Sequence, residues 1–461
     1  MITQPKPLYL RQQLAMMLLL VCICFICSQP IKAANSPAKT NEGTEFWLCF
    51  ERNYKDAPQG VPKSKNDIQL QLFITGSKNS KVSIEIEGIN FKRDVNVASD
   101  TVSNVIIDGA ALVKSEEIPE RLAVHVISDN PVAVYGLSSR WQTTDTYLGL
   151  PVSVLGKEYF VAGYKYCEGL LSQFAIVATE DKTNVTITPT VTTSKKHPAG
   201  VPYRVMLRRG DVYQVTSLPD TATPPDLTGS SIIADKKIAV FSGHQCSYVP
   251  QGVVGCNHLV EQLPPTKTWG NNYYIGMLEG RKHYTVRVLA AQNNTKVHED
   301  SKLVATLNAG QFYENSGVSR NLQIVSDHPV LVAQYSHGFL DGDSVGDPMM
   351  LLVSPVEQFT KEKRFATPKT GQWKHYINVT IPTNAVKSIM LDSQPVDFSL
   401  YKFQKLGDTS YSIGQIQVSF GAHTIVADEP FGICSYGFGY GDEAYDAYGN
   451  MGGQAFREIK P

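Results

Sequence analysis

The chain has 461 residues, of which 42% are apolar and 18% charged, and its formal charge is −1. This length is enough for a sizeable core and, at roughly 150 residues per domain, for about three domains. The apolar content excludes a disordered acidic chain, and the balanced charge gives no sign of a nucleic-acid partner.

Lys6 and Arg11 precede an apolar run from Leu14 to Cys27, and Ala33 and Ala34 offer small residues for cleavage, so residues 1–33 read as a secretory signal peptide. The run, about 14 residues, is too short for the ~20 of a membrane span, and no later segment approaches such a length. The expected product is secreted and extracellular, and the mature chain does not span a membrane. Cys22, Cys24 and Cys27 leave with the signal.

Residues 34–60 lack periodicity and read as an N-terminal extension entering the first strand. From Ile68 to Ile74 apolar and polar residues alternate, and after a turn at Gly76 the pattern resumes at Val82, Ile84 and Ile86. A period of two buries one face of a strand. Phe174–Ala178 with Asn184–Thr188, and Tyr284–Val288 with Val297, repeat the design, so each pair predicts a hairpin.

A second element recurs around Asp129, Asp235, Asp327 and Asp428, which lie 106, 92 and 101 positions apart. Each follows a small residue and precedes two turn residues and a buried run, as in Ser128-Asp-Asn-Pro-Val-Ala-Val-Tyr. Three of them precede an X-Pro pair, where an aspartate caps a turn, and Asp235 precedes Lys-Lys; all four are read as structural. Proline-bearing segments at Pro151, Pro264-Pro265 and Pro355 lead to Tyr159-Phe160, Tyr273-Tyr274 and Phe365, as crossovers between units. With no convincing amphipathic helix, the expected fold is all-β: tandem β-sandwich-like units in about four repeats of roughly 100 residues. The units run over 61–165, 166–275, 276–370 and 371–452, and a tail follows at 453–461.

His244, Cys246, Cys256 and His258 have the composition of a zinc site, but each histidine is one residue from its cysteine, and usual ligand pairs are more widely spaced. In a secreted chain a disulfide between Cys246 and Cys256 is the favoured reading. Cys49, Cys167 and Cys434 remain, an odd set that leaves a free thiol or a bond to another chain. Sequons mark Asn184, Asn293 and Asn378 for glycosylation. Arg209-Gly210-Asp211 falls between Tyr203–Leu207 and Val212–Val215, where a hairpin tip is expected; Gly-Asp suits a tight turn, and integrin-type adhesion is the alternative. Asp341, Asp343 and Asp347, and separately Asp442 and Glu443, offer oxygen to calcium without the closing glutamate of an EF-hand, so they read as solvated loops. No nucleophile elbow, metalloprotease helix or phosphate loop is present. A two-carboxylate glycosidase on a β scaffold is the enzyme alternative.

Longer strings carry a family resemblance. Ser139–Val161, Asp226–Asp235, and Ser242-Gly-His-Gln-Cys with Cys256-Asn-His-Leu-Val-Glu-Gln-Leu-Pro-Pro resemble the N-terminal domain of the IgG Fc-binding protein family, as do Gly421-Ala-His-Thr-Ile and Tyr436-Gly-Phe-Gly-Tyr-Gly. The resemblance runs from about Glu45 to Gly452 and implies a matching cysteine pair at Cys246 and Cys256. It also implies a non-enzymatic recognition or adhesion protein without cofactors. The partners expected are extracellular proteins or glycoproteins, mucin-like ones included, engaged through loops rich in Tyr and Asn.

Overall fold

The alternating segments are strands because Val, Ile and Thr, branched at Cβ, suit a pleated surface with one face buried. Ser80–Ile86 shows the pattern: Val82, Ile84 and Ile86 point inward while Lys81 and Glu85 face solvent. The computed structural model describes residues 40–54, 67–165, 167–341, 344, 346–369 and 371–459, and the signal peptide assigned to 1–33 lies outside them. Among the described residues the helices are short 3-10 turns, and the chain is all-β.

Four antiparallel sheets share one strand order, to which the fourth adds the edge strand Phe403–Lys405, and each is built on a long strand: Val124–Arg140, Ser231–Tyr248, Leu322–Ser336 and Ala422–Gly439. In the first sheet, Gly43–Leu48 and Ser80–Ile86 pair with the beginning of the long strand, and Gln69–Thr75 and Thr143–Leu148 with its end. The long strand thus bends from one half-sheet into another. Its corner is the recurring Asp-x-Pro: pairing with Gly43–Leu48 jumps from Ile127 to Val132, across Asp129-Asn130-Pro131. Proline has no N–H to give a ladder, which suits it to the break in three of the long strands, and the second breaks likewise from Ile233 to Ile238 across Asp235-Lys236-Lys237.

This geometry corrects two expectations. The four aspartates lie inside continuous strands, not in turns. Asp129, Asp235 and Asp327 instead accept the backbone N–H of Lys81, Asn184 and Lys296 on the neighbouring strand, at 2.9, 2.9 and 2.7 Å. The predicted hairpins also separate: Gln69–Thr75 and Ser80–Ile86 pair with different halves of the long strand, and the turn between them carries the chain past the corner.

Each strand that follows a crossover proline joins the next long strand. Gly156–Phe160 pairs with Ser231–Tyr248, and Gly270–Ile275 with Leu322–Ser336. Both open on a glycine whose missing side chain admits a proline, since a Cβ on Gly156 or Gly270 would sit 2.4 Å from Pro265 or Pro355. Within the described residues the N-terminal extension enters a strand at Gly43–Leu48, and Ala455 and Phe456 of the tail are buried.

The closing strands of the four sheets, Thr143–Leu148, Cys256–Gln262, Met350–Leu352 and Ala447–Met451, meet in a ring, the first and third each against the second and fourth. Each pairs with its own long strand on one edge only, which leaves N–H groups on the other edge without a ladder partner. Buried side chains take that place. Asp145 accepts the N–H of Val260 at 3.2 Å, Met350 at 3.3 Å and Gly449 at 3.0 Å, one from each of the other sheets. Glu261 accepts those of Leu352 at 3.1 Å and Met451 at 3.0 Å. The Asn257 amide donates to the carbonyls of Thr144, Pro348 and Ala447.

Candidate functional site

Where the first sheet meets the fourth, a cleft of about 400 Å³ opens beside this polar hub. Trp141 reaches it from the turn between the long and closing strands of the first sheet, and Trp373 from the start of the strand Trp373–Pro382. Trp373 is set edge-on against Tyr448, with centroids 5.3 Å apart. Asp67, Asp442 and Glu443 bring carboxylates to the lining, and Arg140 brings a guanidinium. Asp446 also lines the cleft but is tied down, accepting the Thr144 backbone N–H at 2.9 Å and its hydroxyl at 2.7 Å. Burial raises the Asp446 carboxyl well above the usual range, against the pull of the Thr144 bonds. The cleft therefore sets two indole rings beside hydrogen-bonding groups, a combination suited to a polar ligand with an apolar face.

Sequence reasoning missed both tryptophans, since 232 positions separate them. Asp442 and Glu443, read from sequence as a solvated acidic loop, line the cleft. Tyrosines do not dominate exposed loops: Tyr135, Tyr147, Tyr159, Tyr273, Tyr335 and Tyr448 are all core.

Cys246 and Cys256 form a disulfide across the end of the antiparallel pair, with Cα atoms 5.2 Å apart. This removes both thiolates from the zinc alternative. His244 and His258 are buried beside it, and burial lowers their pKa values to about 3 and about 4, which keeps both rings neutral.

A profile of the family described as IgGFc binding protein matches residues 145–437, more than half of the sequence. The chain belongs to the IgGFc-binding protein family. Human IgGFc-binding protein is 26% identical over 415 residues, which cover 88% of this chain and 7% of the human protein. The chain thus spans a small fraction of the length of that relative. Among the described residues, no helix is long and apolar enough to cross a membrane.

In this member of the family the remaining predicted positions separate by burial. The strands flanking Arg209-Gly210-Asp211 pair with different neighbours, so the tripeptide is not a hairpin tip. Arg209 stacks over Trp47 at 5.0 Å, and Gly210 turns at φ +81°. Asp211 is 3% exposed, accepts the Arg208 N–H at 2.8 Å and lies 3.7 Å from Arg121. An integrin-type contact needs that carboxylate in solvent, and here it is an internal strut. Asn184 and Asn293 are exposed. Asn378 is 4% exposed, donates to the Met277 carbonyl at 2.9 Å and accepts the Tyr436 hydroxyl at 2.9 Å, so the fold leaves no room for a glycan there. Cys49, Cys167 and Cys434 are free and buried, which removes the expected route to an interchain disulfide. Burial pushes the Cys167 thiol up to about 11 and Cys434 up to about 12, so neither is a ready nucleophile.

Proposed function

We propose that this chain is a secreted, non-catalytic recognition protein that binds an extracellular protein or glycoprotein, and that the cleft between the first and fourth sheets takes the ligand. The observation that carries this reading is the placement of Trp141 and Trp373 on one cleft with Asp67, Asp442, Glu443 and Arg140. A sugar ring has an apolar C–H face, which packs on indole, and an equatorial rim of hydroxyls, which carboxylates accept and a guanidinium donates to. Binding is favoured over hydrolysis because Asp446, the deepest carboxyl, has both oxygens engaged by Thr144 and is not turned to a substrate.

The test is capture from the native extracellular fluid on immobilised chain, with and without enzymatic removal of glycans, and with IgG Fc as a defined ligand. Trp141→Ala and Asp442→Asn should each lower capture at least tenfold without shifting the melting temperature. Unchanged capture by the Trp141→Ala, Asp442→Asn double variant would place the binding surface elsewhere. Release of sugar from a glycoprotein by the chain alone would restore the enzyme reading.

A further inference from the structure

Away from the cleft, the third sheet brings together three side chains that the binding reading does not use. Tyr284 pairs with Ser336 at the end of two antiparallel strands, Tyr284–Ala290 and Leu322–Ser336. His283 and His337 are the next residue on each, so the register sets them opposite one another. Their rings lie 28° from parallel with centroids 6.3 Å apart. After His337 the chain turns, with the Asp341 N–H donating to the Gly338 carbonyl at 3.1 Å, and this returns the Asp341 side chain to the two rings. Asp341 Oδ2 lies 3.0 Å from His283 Nδ1 and 2.8 Å from His337 Nδ1. One potential ligand atom from each residue falls within 4.8 Å of the other two.

We infer that His283, His337 and Asp341 form a binding site for a divalent transition-metal ion of the zinc class, with a fourth coordination position open to solvent. Two imidazoles and a carboxylate are a donor set that zinc accepts and that calcium and magnesium, which prefer all-oxygen shells, do not. A tetrahedral zinc with bonds of about 2.0–2.1 Å holds its ligand atoms about 3.3 Å apart. The two Asp341 contacts lie within a few tenths of an ångström of that spacing, and all three ligand atoms are within 4.8 Å of one another.

The surroundings suit a ligand shell. Thr285 Oγ1 stands 3.0 Å from His337 Nε2, so the far nitrogen of the buried ring is engaged and Nδ1 is the one aimed at the site. The His283 side chain is 41% exposed, which leaves the ion a path in. Arg281 is the opposing charge. Its guanidinium donates to the His337 carbonyl at 2.5 Å and stacks over Phe438 at 5.3 Å. Asp341 therefore serves histidines, where the sequence reads a solvated acidic loop. Asp347 is buried apart, and Asp343 lies outside the described residues.

The experiment is calorimetric titration of the chelator-treated full chain with Zn²⁺, repeated in excess Ca²⁺. One ion per chain is expected, undiminished by Ca²⁺. His283→Ala and Asp341→Asn should each weaken binding at least 100-fold, and Thr285→Val by about tenfold, in the range of an outer-shell partner. His283 is the half-exposed ligand, so His283→Ala keeps the fold, as circular dichroism and the melting temperature verify, and it decides the matter if Asp341→Asn fails to fold. No zinc uptake by the wild type, uptake unchanged in His283→Ala, or displacement by Ca²⁺ would each overturn the assignment.

Discussion

Glu51 is sealed in the interior next to the first sheet, 1% exposed, and neither of its carboxylate oxygens has a hydrogen-bond partner. Burial raises its pKa to about 8. In the unfolded chain the same group titrates near 4.3. Below that pH both states carry a neutral carboxyl and its contribution is fully present. As the pH rises towards 8 the unfolded chain ionises freely while the folded chain resists, so stability is lost across this window. Each unit of separation corresponds to about 1.4 kcal/mol, which gives a loss on the order of 4 kcal/mol by pH 8. Glu51→Gln removes the ionisation and keeps the shape. Chemical denaturation of the variant should match wild type at pH 4.5 and exceed it by several kcal/mol at pH 8. Parallel pH profiles for the two proteins would show that Glu51 does not titrate in this range.

Arg287 shows how an element joins its neighbour. It rises from the strand Tyr284–Ala290 of the third sheet and bonds Glu314 on the adjacent strand at 2.7 Å. On the second-sheet side it bonds Asp226 at 2.8 Å and the Gly163 carbonyl at 2.7 Å. Its guanidinium lies 4.0 Å from the Tyr164 ring centre and 4.6 Å from that of Phe312, so both faces of the cation are covered. Arg287→Ala leaves Asp226 without its cation and Glu314 with only Lys165 at 3.8 Å, a change that costs about 3–5 kcal/mol. Urea unfolding should show a loss of that size. The Arg287→Met, Asp226→Asn double variant, which removes opposite charges together, should recover part of it. If the double variant loses as much as the two single changes combined, the pair is not coupled.

How far the sequence could be read follows from the same elements. Ser80–Ile86 was legible because one face is buried and the other wet, and the Cys246–Cys256 pair because ten residues separate its members. Thr143–Leu148 was not legible as a strand: all six residues are buried, so alternation vanishes. A period of two tells which face is inward but not which strand lies alongside, so Gln69–Thr75 and Ser80–Ile86 read as a hairpin when a bent long strand separates their pairing. The Asp-x-Pro corner was found as a recurring string, and its meaning, a strand changing sheets, depends on partners far away in the chain. Arg287 and Trp373 share this limitation, since each acquires its role from residues of another sheet.

At the scale of the whole molecule, the ring of closing strands sets whether four sheets behave as four modules or as one. Asp145 belongs to the first sheet and accepts backbone N–H groups from the second, third and fourth. Burial raises its carboxyl well above the ordinary range while those donors oppose the rise, and Glu261 lies close enough to be raised in turn, by burial first and then by Asp145. Asp145→Ala would strand three buried N–H groups in three different sheets, at about 1–3 kcal/mol each. The expected loss is therefore larger than for an ordinary surface strut, and it is shared. Hydrogen exchange should show protection falling together at Val260, Met350 and Gly449, and thermal unfolding should remain a single transition at a lower midpoint. Loss of protection confined to the first sheet, or a melt that splits into separate steps already in the wild type, would mean that the sheets are independent modules and that the hub only fills space between them.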